Sequence, residues 1–339
     1  EACRPVLGNK VDGIAGKLID LIAVFALLAG TATTFSLATP LLAGAISSVT
    51  GIPQSTGLTL VILVIVCAIY TFSVYFGMKG VQLSAATCTW LFFGLLAYVF
   101  FFGGQTRFII EEGITALGNM TQNFIGLATW TDSLRTSSFP QTWTIFYWAY
   151  WMVWCVAVPF FIGSISKGRT LRQVILGGYV FGLSGTFTSF IIMGNYGLGL
   201  QMHGNLDVLS SYAADGNLYH AILDILGQLP LSKAVLVLLV LCMITFYSTS
   251  FDSITMVAST YTYKKLQSDE EPHRNVKLFW AIFLILLPLA LIFSENSMSN
   301  LQTVSIIAAF PVGIIMLLII SSFFKDADAY LKEQANPPE

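Results

Sequence analysis

Residues 141–154 read Gln141-Thr-Trp-Thr-Ile-Phe-Tyr-Trp-Ala-Tyr-Trp-Met-Val-Trp154, and aromatic side chains recur in this stretch at helical spacing. At about 100° per residue, five of them fall on one face of a helix: Trp143, Tyr147, Tyr150, Trp151 and Trp154. This stripe runs for three turns, roughly 16 Å, whereas an interfacial belt of Trp and Tyr would occupy one end of the helix. The pattern is typical either of helix packing or of a site where aromatic faces bind an organic cation.

The composition around this stretch excludes a soluble domain. Of the 339 residues, 55% are hydrophobic and only 10% are charged, against roughly 25% charged in soluble domains. The mean hydropathy is +0.76, and several apolar runs approach the roughly 20 residues that cross a bilayer. We therefore predict an all-α polytopic membrane protein whose partner is the lipid bilayer. The net charge of −2 offers no basic surface for nucleic acid.

Hydropathy predicts eight transmembrane helices. They lie at 17–45, 57–78, 82–103, 142–165, 173–197, 231–262, 277–294 and 300–324. Of the 16 Lys and Arg residues, all but Arg107, Arg135 and Lys233 fall in one alternate set of connections. This bias predicts that both termini of the chain are cytoplasmic.

Two connections on the other side contain helical patterns. Residues 109–124 alternate apolar and polar side chains at helical spacing, which predicts an amphipathic helix along the membrane surface. Ala221–Leu226 are expected to form a short helix. The five cysteines and three histidines have no ligand or disulfide spacing, so neither a disulfide nor a transition-metal site is predicted.

Four sets of residues resemble the betaine/choline/carnitine transporter family. The aromatic stretch continues into Gly163-x-Ile165-Ser166-Lys167-Gly168-Arg169-Thr170, and the other sets are Gly16-Lys17-Leu18-Ile19-Asp20 with Gly30-Thr31-Ala32, Thr249-Ser250-x-Asp252-Ser253, and Phe324-Lys325-Asp326. The resemblance covers nearly the whole chain. It implies a multi-pass protein of the cytoplasmic (inner) membrane, a homotrimer, and secondary transport of a trimethylammonium compound such as glycine betaine, carnitine or choline.

The resemblance also implies an inverted-repeat fold similar to that of LeuT, with about four N-terminal helices missing from this chain. On this basis 1–103 are the tail of the first repeat and 104–141 are the external connection. The second repeat is 142–324, and 325–339 are a cytoplasmic tail. Substrates of such folds bind at the midplane between the repeats.

The matching positions assign Trp148, Trp151 and Trp154 to the substrate site. Tyr150 stands where the family usually has Trp, which keeps an aromatic face but weakens its attraction for a cation. Tyr147, on the same helical stripe, completes the candidate set.

Phe246, Thr249, Ser250 and Thr31 match positions that the family associates with sodium. Hydroxyl and carbonyl oxygens suit a small hard cation, but membrane hydroxyls commonly bond back to their own helix. The role of Asp252, a carboxylate inside a predicted span, stays open between an ion site and a position that reaches water. Gln82 stands where sodium-independent exchangers of this family carry Arg, so its neutral amide favours a sodium symporter; no other cofactor is expected.

Three other functions compete with sodium symport. A sodium-independent exchanger of carnitine or betaine is the main alternative, and a channel or sensor is the second. An enzyme is disfavoured because His203, His220 and His273 form no acid–base or metal cluster with Asp or Glu at suitable spacing.

The predicted orientation is tested by cysteine-accessibility labelling. Single cysteines placed within residues 264–274, in a background lacking the five native cysteines, should react only with membrane-permeant reagents in intact cells. A cysteine near Arg135 should react with impermeant reagents and serves as the external control. Labelling of 264–274 by the impermeant reagent would reverse the topology.

Overall fold

The computed structural model describes residues 2–76, 78–263, 270–291 and 297–335. All regular secondary structure in these ranges is helical, which confirms the predicted all-α class. The described residues form two compact units. The first comprises Glu1–Ser36, Asp132–Ile165 and Ile254–Glu339, and the second comprises Leu37–Thr131 and Ser166–Ser253. This division reflects packing, and the predicted division into two repeats stays a prediction.

The first unit contains short helices near the N-terminus, the aromatic stretch and the C-terminal helices. Its elements are Arg4–Leu7, the 3-10 helix Gly8–Asp12, the start of Ile14–Thr50, the π-helical turn Pro140–Thr144, Ile145–Trp154, Val158–Ile165, the end of Ser232–Thr260, Arg274–Leu291 and Ser297–Ala335. The aromatic helix Ile145–Trp154 packs along Ser297–Ala335.

The second unit is built around long helices joined by shorter ones. Its elements are the remainder of Ile14–Thr50, Thr56–Tyr75, Met78–Phe102, Thr106–Gln122, Phe124–Thr129, Leu171–Ser189, the π-helical turn Phe190–Gly194, Asn195–Met202, Val208–Asp215, Leu218–Gly227 and most of Ser232–Thr260. The predicted short helix at 221–226 is confirmed by Leu218–Gly227.

Six helices in the described ranges are long and apolar enough to cross a membrane. They are Ile14–Thr50, Thr56–Tyr75, Gly80–Phe102, Leu171–Met202, Ser232–Thr260 and Thr303–Ala335. Each matches one of the eight predicted spans. The seventh predicted span, 277–294, begins within the helix Arg274–Leu291 and continues outside the described residues. Lys264 and Lys265, which contribute to the predicted orientation, also lie outside the described residues.

The predicted fourth span, 142–165, is not one continuous helix. A helix ends at Trp154, residues 155–157 form a turn, and a second helix begins at Val158. The cause is Pro159, which has no N–H to donate to the carbonyl of Cys155 and whose ring crowds that carbonyl. Hydropathy does not register this interruption because every residue near it is apolar.

Local sequence signals set several helix ends. Ser55 begins Thr56–Tyr75, and its hydroxyl oxygen accepts the N–H of Leu58 at 3.1 Å. Thr170 and Gln173 form a reciprocal capping box at the start of Leu171–Ser189. Gly51 ends the first long helix at φ 77°, a left-handed conformation that glycine adopts without steric cost.

The predicted amphipathic segment is confirmed as the helix Thr106–Gln122. Its buried face lies against protein, because Ile109 is 1% exposed and Gly113 approaches the side chain of Ile191. The rings of Phe108 and His203 meet edge to face at 5.3 Å. Ile114, on another side of the helix, remains exposed, and its contact with a membrane surface stays a prediction.

Candidate functional site

The aromatic stretch starts from a loop that a single carboxylate organises. Asp132 is buried, and its oxygens accept the backbone N–H groups of Thr136, Ser137 and Ser138 at 2.9–3.1 Å. The N–H of Ser137, with further bonds from Thr136 and from both hydroxyls, holds the pKa of the Asp132 carboxyl well below its usual range. Since Ser138 precedes the π-helical turn by two residues, this network fixes where the aromatic helix begins.

Three of the predicted substrate residues line one open groove. Tyr147, Trp148 and Trp151 project into a space of about 480 Å³, and Trp148 and Trp151 are 72% and 62% exposed. The remaining lining residues, which the sequence did not place in the site, are Phe139, Trp143 and Thr144. None of the six side chains is charged. The groove therefore presents aromatic faces and two hydroxyls, those of Thr144 and Tyr147, a surface suited to a cation that cannot form hydrogen bonds.

The other two predicted substrate residues are packed inside the first unit. The Tyr150 hydroxyl lies 2.6 Å from the Thr34 hydroxyl. Because Thr34 donates its own proton to the Gly30 carbonyl at 2.9 Å, Tyr150 is the donor in this pair. The rings of Tyr150 and Trp154 meet edge to face at 5.9 Å. The predicted five residues are thus divided between a groove and a packed layer.

Trp154 lies against the backbone of Gly30. A methyl group built on Gly30 would be 3.1 Å from Cε2 and Cζ2 of the Trp154 indole and 3.1 Å from a methyl of Val153. These distances are shorter than ordinary carbon–carbon contacts, so the absence of a side chain at residue 30 permits the approach. The sequence offered one signal for this contact, the run of small residues that starts at Gly30.

The break after Trp154 leaves main-chain groups without regular helical partners. The carbonyl of Val156 accepts the phenol of Tyr261 at 3.3 Å. The N–H of Ala157 bonds to the carbonyl of Trp154 at 3.0 Å, which is a turn contact in place of a helical one. The aromatic helix is therefore terminated next to the residues that carry the predicted site.

The predicted sodium residues of the second unit lie on one uninterrupted helix. Thr249 donates its hydroxyl to the carbonyl of Thr245 at 2.8 Å, and Ser253 donates to the carbonyl of Thr249 at 3.1 Å. Phe246 packs edge to face on Phe92 at 5.2 Å, while Ser250 is exposed. This back-bonding is the alternative that the sequence left open. The Thr249 hydroxyl also lies 3.4 Å from that of Ser84, while the hydroxyl of Ser250 is exposed.

Thr31, the fourth predicted sodium residue, belongs to the first unit. It is fully buried, and its hydroxyl donates to the carbonyl of Leu27 at 2.6 Å. Its neighbour Thr33 pairs with Ser305 at 2.7 Å. The hydroxyls of this run therefore serve helix packing, and their role toward sodium stays a prediction.

The long helices and the groove together indicate a class of membrane protein. Long apolar helices, a helix broken within the bilayer-length segment, and uncharged aromatic faces around a groove are typical of multi-pass membrane transporters. The sequence profile of the betaine/carnitine/choline transporter family matches residues 1–332 of this chain. The protein belongs to this family, as the resemblance of its motifs predicted.

Individual relatives agree with this assignment. A carnitine transporter of Acinetobacter baumannii is 30% identical over 315 residues, covering 92% of this chain and 57% of the relative. The glycine betaine transporter OpuD of Bacillus subtilis is 31% identical over 333 residues, covering 97% of this chain and 63% of the relative. An osmo-dependent choline transporter of Acinetobacter baylyi is 27% identical, covering 96% of this chain and 47% of the relative.

The chain spans less than two thirds of the length of these relatives. Family and relatives alike are named as transporters, which agrees with the prediction that the protein is not an enzyme.

The contact between Gly30 and Trp154 predicts opposite effects for the same substitution at two glycines. Gly94 also lies inside a helix, but a methyl group there meets no atom within 4 Å. Gly94→Ala should raise stability by about 1 kcal/mol through helix propensity. Gly30→Ala should lower it by about 1–3 kcal/mol, because Trp154 must move.

Thermal unfolding of the purified variants in detergent measures both changes. Gly94→Ala is the matched control for the change in propensity and in handling. If Gly30→Ala stabilised the protein as much as Gly94→Ala does, Trp154 would not be packed closely on residue 30.

Proposed function

We propose that the protein carries out secondary active transport of a quaternary ammonium compound across the cytoplasmic (inner) membrane, coupled to sodium. The relatives are named for carnitine, glycine betaine and choline, and each of these compounds carries a trimethylammonium group. The observation that carries the proposal is the groove at Tyr147, Trp148 and Trp151, which is aromatic and uncharged.

The chemistry of the head group matches this surface. A trimethylammonium group carries a positive charge spread over its methyls and has no N–H to donate, so hydrogen-bond acceptors cannot recognise it. Indole and phenol faces attract such a cation electrostatically and contact its methyls at the same time. Trp148 and Trp151 offer exposed indole faces, and Thr144 is the one aliphatic polar side chain of the lining.

Loss of an indole in the groove should weaken substrate binding. Trp151→Leu and Trp148→Leu, made in the complete natural protein, should each raise the substrate concentration for half-maximal uptake. A desolvated cation–π contact of about 2 kcal/mol corresponds to a change of about thirtyfold. Uptake of labelled glycine betaine, carnitine and choline into proteoliposomes measures the change.

Two further variants control this experiment. Trp90 is 79% exposed on Met78–Phe102 and lies outside the groove, so Trp90→Leu should leave the half-maximal concentration unchanged. Trp151→Phe keeps an aromatic face and should lose less than Trp151→Leu. Equal losses in Trp90→Leu and Trp151→Leu would remove the groove from substrate binding.

The sodium part of the proposal rests on Phe246, Thr249 and Ser250, with Thr31 as a further candidate ligand. The exposed hydroxyl of Ser250 and the hydroxyl of Thr249, which lies 3.4 Å from that of Ser84, supply oxygens of the kind that small cations prefer. Gln82 is exposed near the start of Met78–Phe102 and carries no charge. A fixed cation at this position, which a sodium-independent exchanger would use, is absent from residue 82.

Removal of both hydroxyls should weaken sodium dependence. Thr249→Ala with Ser250→Ala should raise the sodium concentration for half-maximal uptake, and substrate affinity should fall with it because the coupling between two sites is reciprocal. Thr89→Ala is the matched control, since the Thr89 hydroxyl also bonds back to its own helix, at 2.9 Å from the Ala85 carbonyl. Undiminished exchange with potassium in place of sodium would instead support the exchanger.

Two finer features of the proposal have separate tests. Counterflow of labelled substrate distinguishes a carrier from a channel, because a carrier exchanges substrate against an unlabelled pool. The proposal also includes a homotrimer, which the family resemblance supports, and a cytoplasmic location of the described termini, which the charge bias of the connections supports.

A further inference from the structure

Asp252 is a fully buried carboxylate inside a membrane-spanning helix. It lies on Ser232–Thr260 and is 0% exposed. Its Oδ2 accepts the hydroxyl of Ser73 at 2.7 Å, and Ser73 lies on the helix Thr56–Tyr75 of the same unit. Its Oδ1 is buried and has no hydrogen-bond partner.

Asp252 has one hydrogen-bond partner and no cationic partner within the described part of the chain. That partner is the Ser73 hydroxyl, and no Lys, Arg or His side chain that the structure describes pairs with the carboxylate. The phenol of Tyr70 on the same facing helix interacts electrostatically with Asp252, and the thiol of Cys67 contacts this phenol at 3.4 Å. A buried carboxylate without a cation is costly, and in membrane spans such a group usually has a function.

Two further features add oxygen atoms with partial negative charge to the surroundings of Asp252. Ser73 lies in the last turn of Thr56–Tyr75, where helix carbonyls lack regular partners and the helix dipole has its negative end. Ser248, one turn before Asp252 on the same helix, has a buried hydroxyl oxygen with no partner. A carboxylate, a helix C-terminus and the oxygens of two serine hydroxyls together form the ligand chemistry of a small hard cation.

We infer that Asp252, Ser73 and Ser248 form a sodium-binding site, with Oδ1 of Asp252 as the charged ligand. This site is distinct from the one proposed at Thr249 and Ser250 in its contacts. The Thr249 hydroxyl donates to Thr245 and lies 3.4 Å from the Ser84 hydroxyl, whereas the Asp252 carboxylate accepts the hydroxyl of Ser73. The inference does not depend on transport, since it concerns binding of the ion alone.

The test is sodium-dependent thermal stability of the complete natural protein in detergent, at constant ionic strength with potassium as the replacement. An ion that binds the folded state raises the unfolding temperature in a saturable way. In the double variant Thr249→Ala with Ser250→Ala, a sodium-dependent increase should persist. Adding Asp252→Asn to this variant should abolish the increase.

Ser73→Ala keeps the carboxylate and covers the case in which Asp252→Asn fails to fold. It should raise the half-saturating sodium concentration by about tenfold, the loss expected for one oxygen ligand next to a charge. Asp224→Asn removes a carboxylate from the short helix Leu218–Gly227 and should leave the sodium titration unchanged. It is the charge-matched control.

Two results would overturn the inference. The first is an identical sodium titration for the native protein and for Asp252→Asn. The second is a native protein that sodium does not stabilise but acid does, with the acid effect absent from Asp252→Asn, because a proton would then neutralise the carboxylate. Neither result bears on the aromatic groove, so failure here and failure of the transport proposal are distinguishable.

Discussion

The indole of Trp154 rests on the bare Cα of Gly30, and the orientation of the aromatic helix depends on this contact. Because Trp154 is held there and the Tyr150 phenol is hydrogen-bonded to Thr34, this side of the helix packs against the rest of the first unit. At about 100° per residue, Trp148 and Trp151 then lie on the adjacent side of the helix, and Tyr147 lies at the boundary between the two sides. The groove therefore borders the packed face, and a side chain at residue 30 would disturb both.

The polar side chains of Ser232–Thr260 are constrained by the need to pair their hydrogen-bond donors in an apolar environment. Thr245, Thr249 and Ser253 give their protons to carbonyls of their own helix, so their hydroxyls enter the apolar environment without an unpaired donor. Asp252 has no such local solution, because an ionised carboxylate has no proton to donate and the helix carbonyls repel it. Its partner must come from another helix or from an ion, which explains why this one residue contacts Ser73.

The sequence predicted the helices of the structure better than it predicted which side chains contact one another. Apolar length and composition located six long helices, because burying a backbone in lipid requires a continuous helix. The break at Cys155 was encoded by Pro159 but is invisible to hydropathy. The separation of Tyr150 and Trp154 from Tyr147, Trp148 and Trp151 could not be predicted from helical angles alone. It depends on Thr34 and Gly30, more than a hundred residues away in the chain. Likewise, Asp252 stood out as a carboxylate in a span, but nothing local indicated Ser73.

The aromatic groove and the site proposed at Asp252 differ in chemistry in a way that keeps their ligands apart. The groove binds by aromatic faces, which attract a large, weakly hydrated cation but cannot repay the dehydration of sodium. The site at Asp252 offers a charged oxygen beside hydroxyl oxygens, which suits a small hard ion better than a trimethylammonium group. A carboxylate in the groove would admit Lys-like amines and metal ions, and its absence there is a condition of selectivity. Separation of soft and hard cation chemistry onto different helices therefore allows one chain to recognise two cations without competition between them.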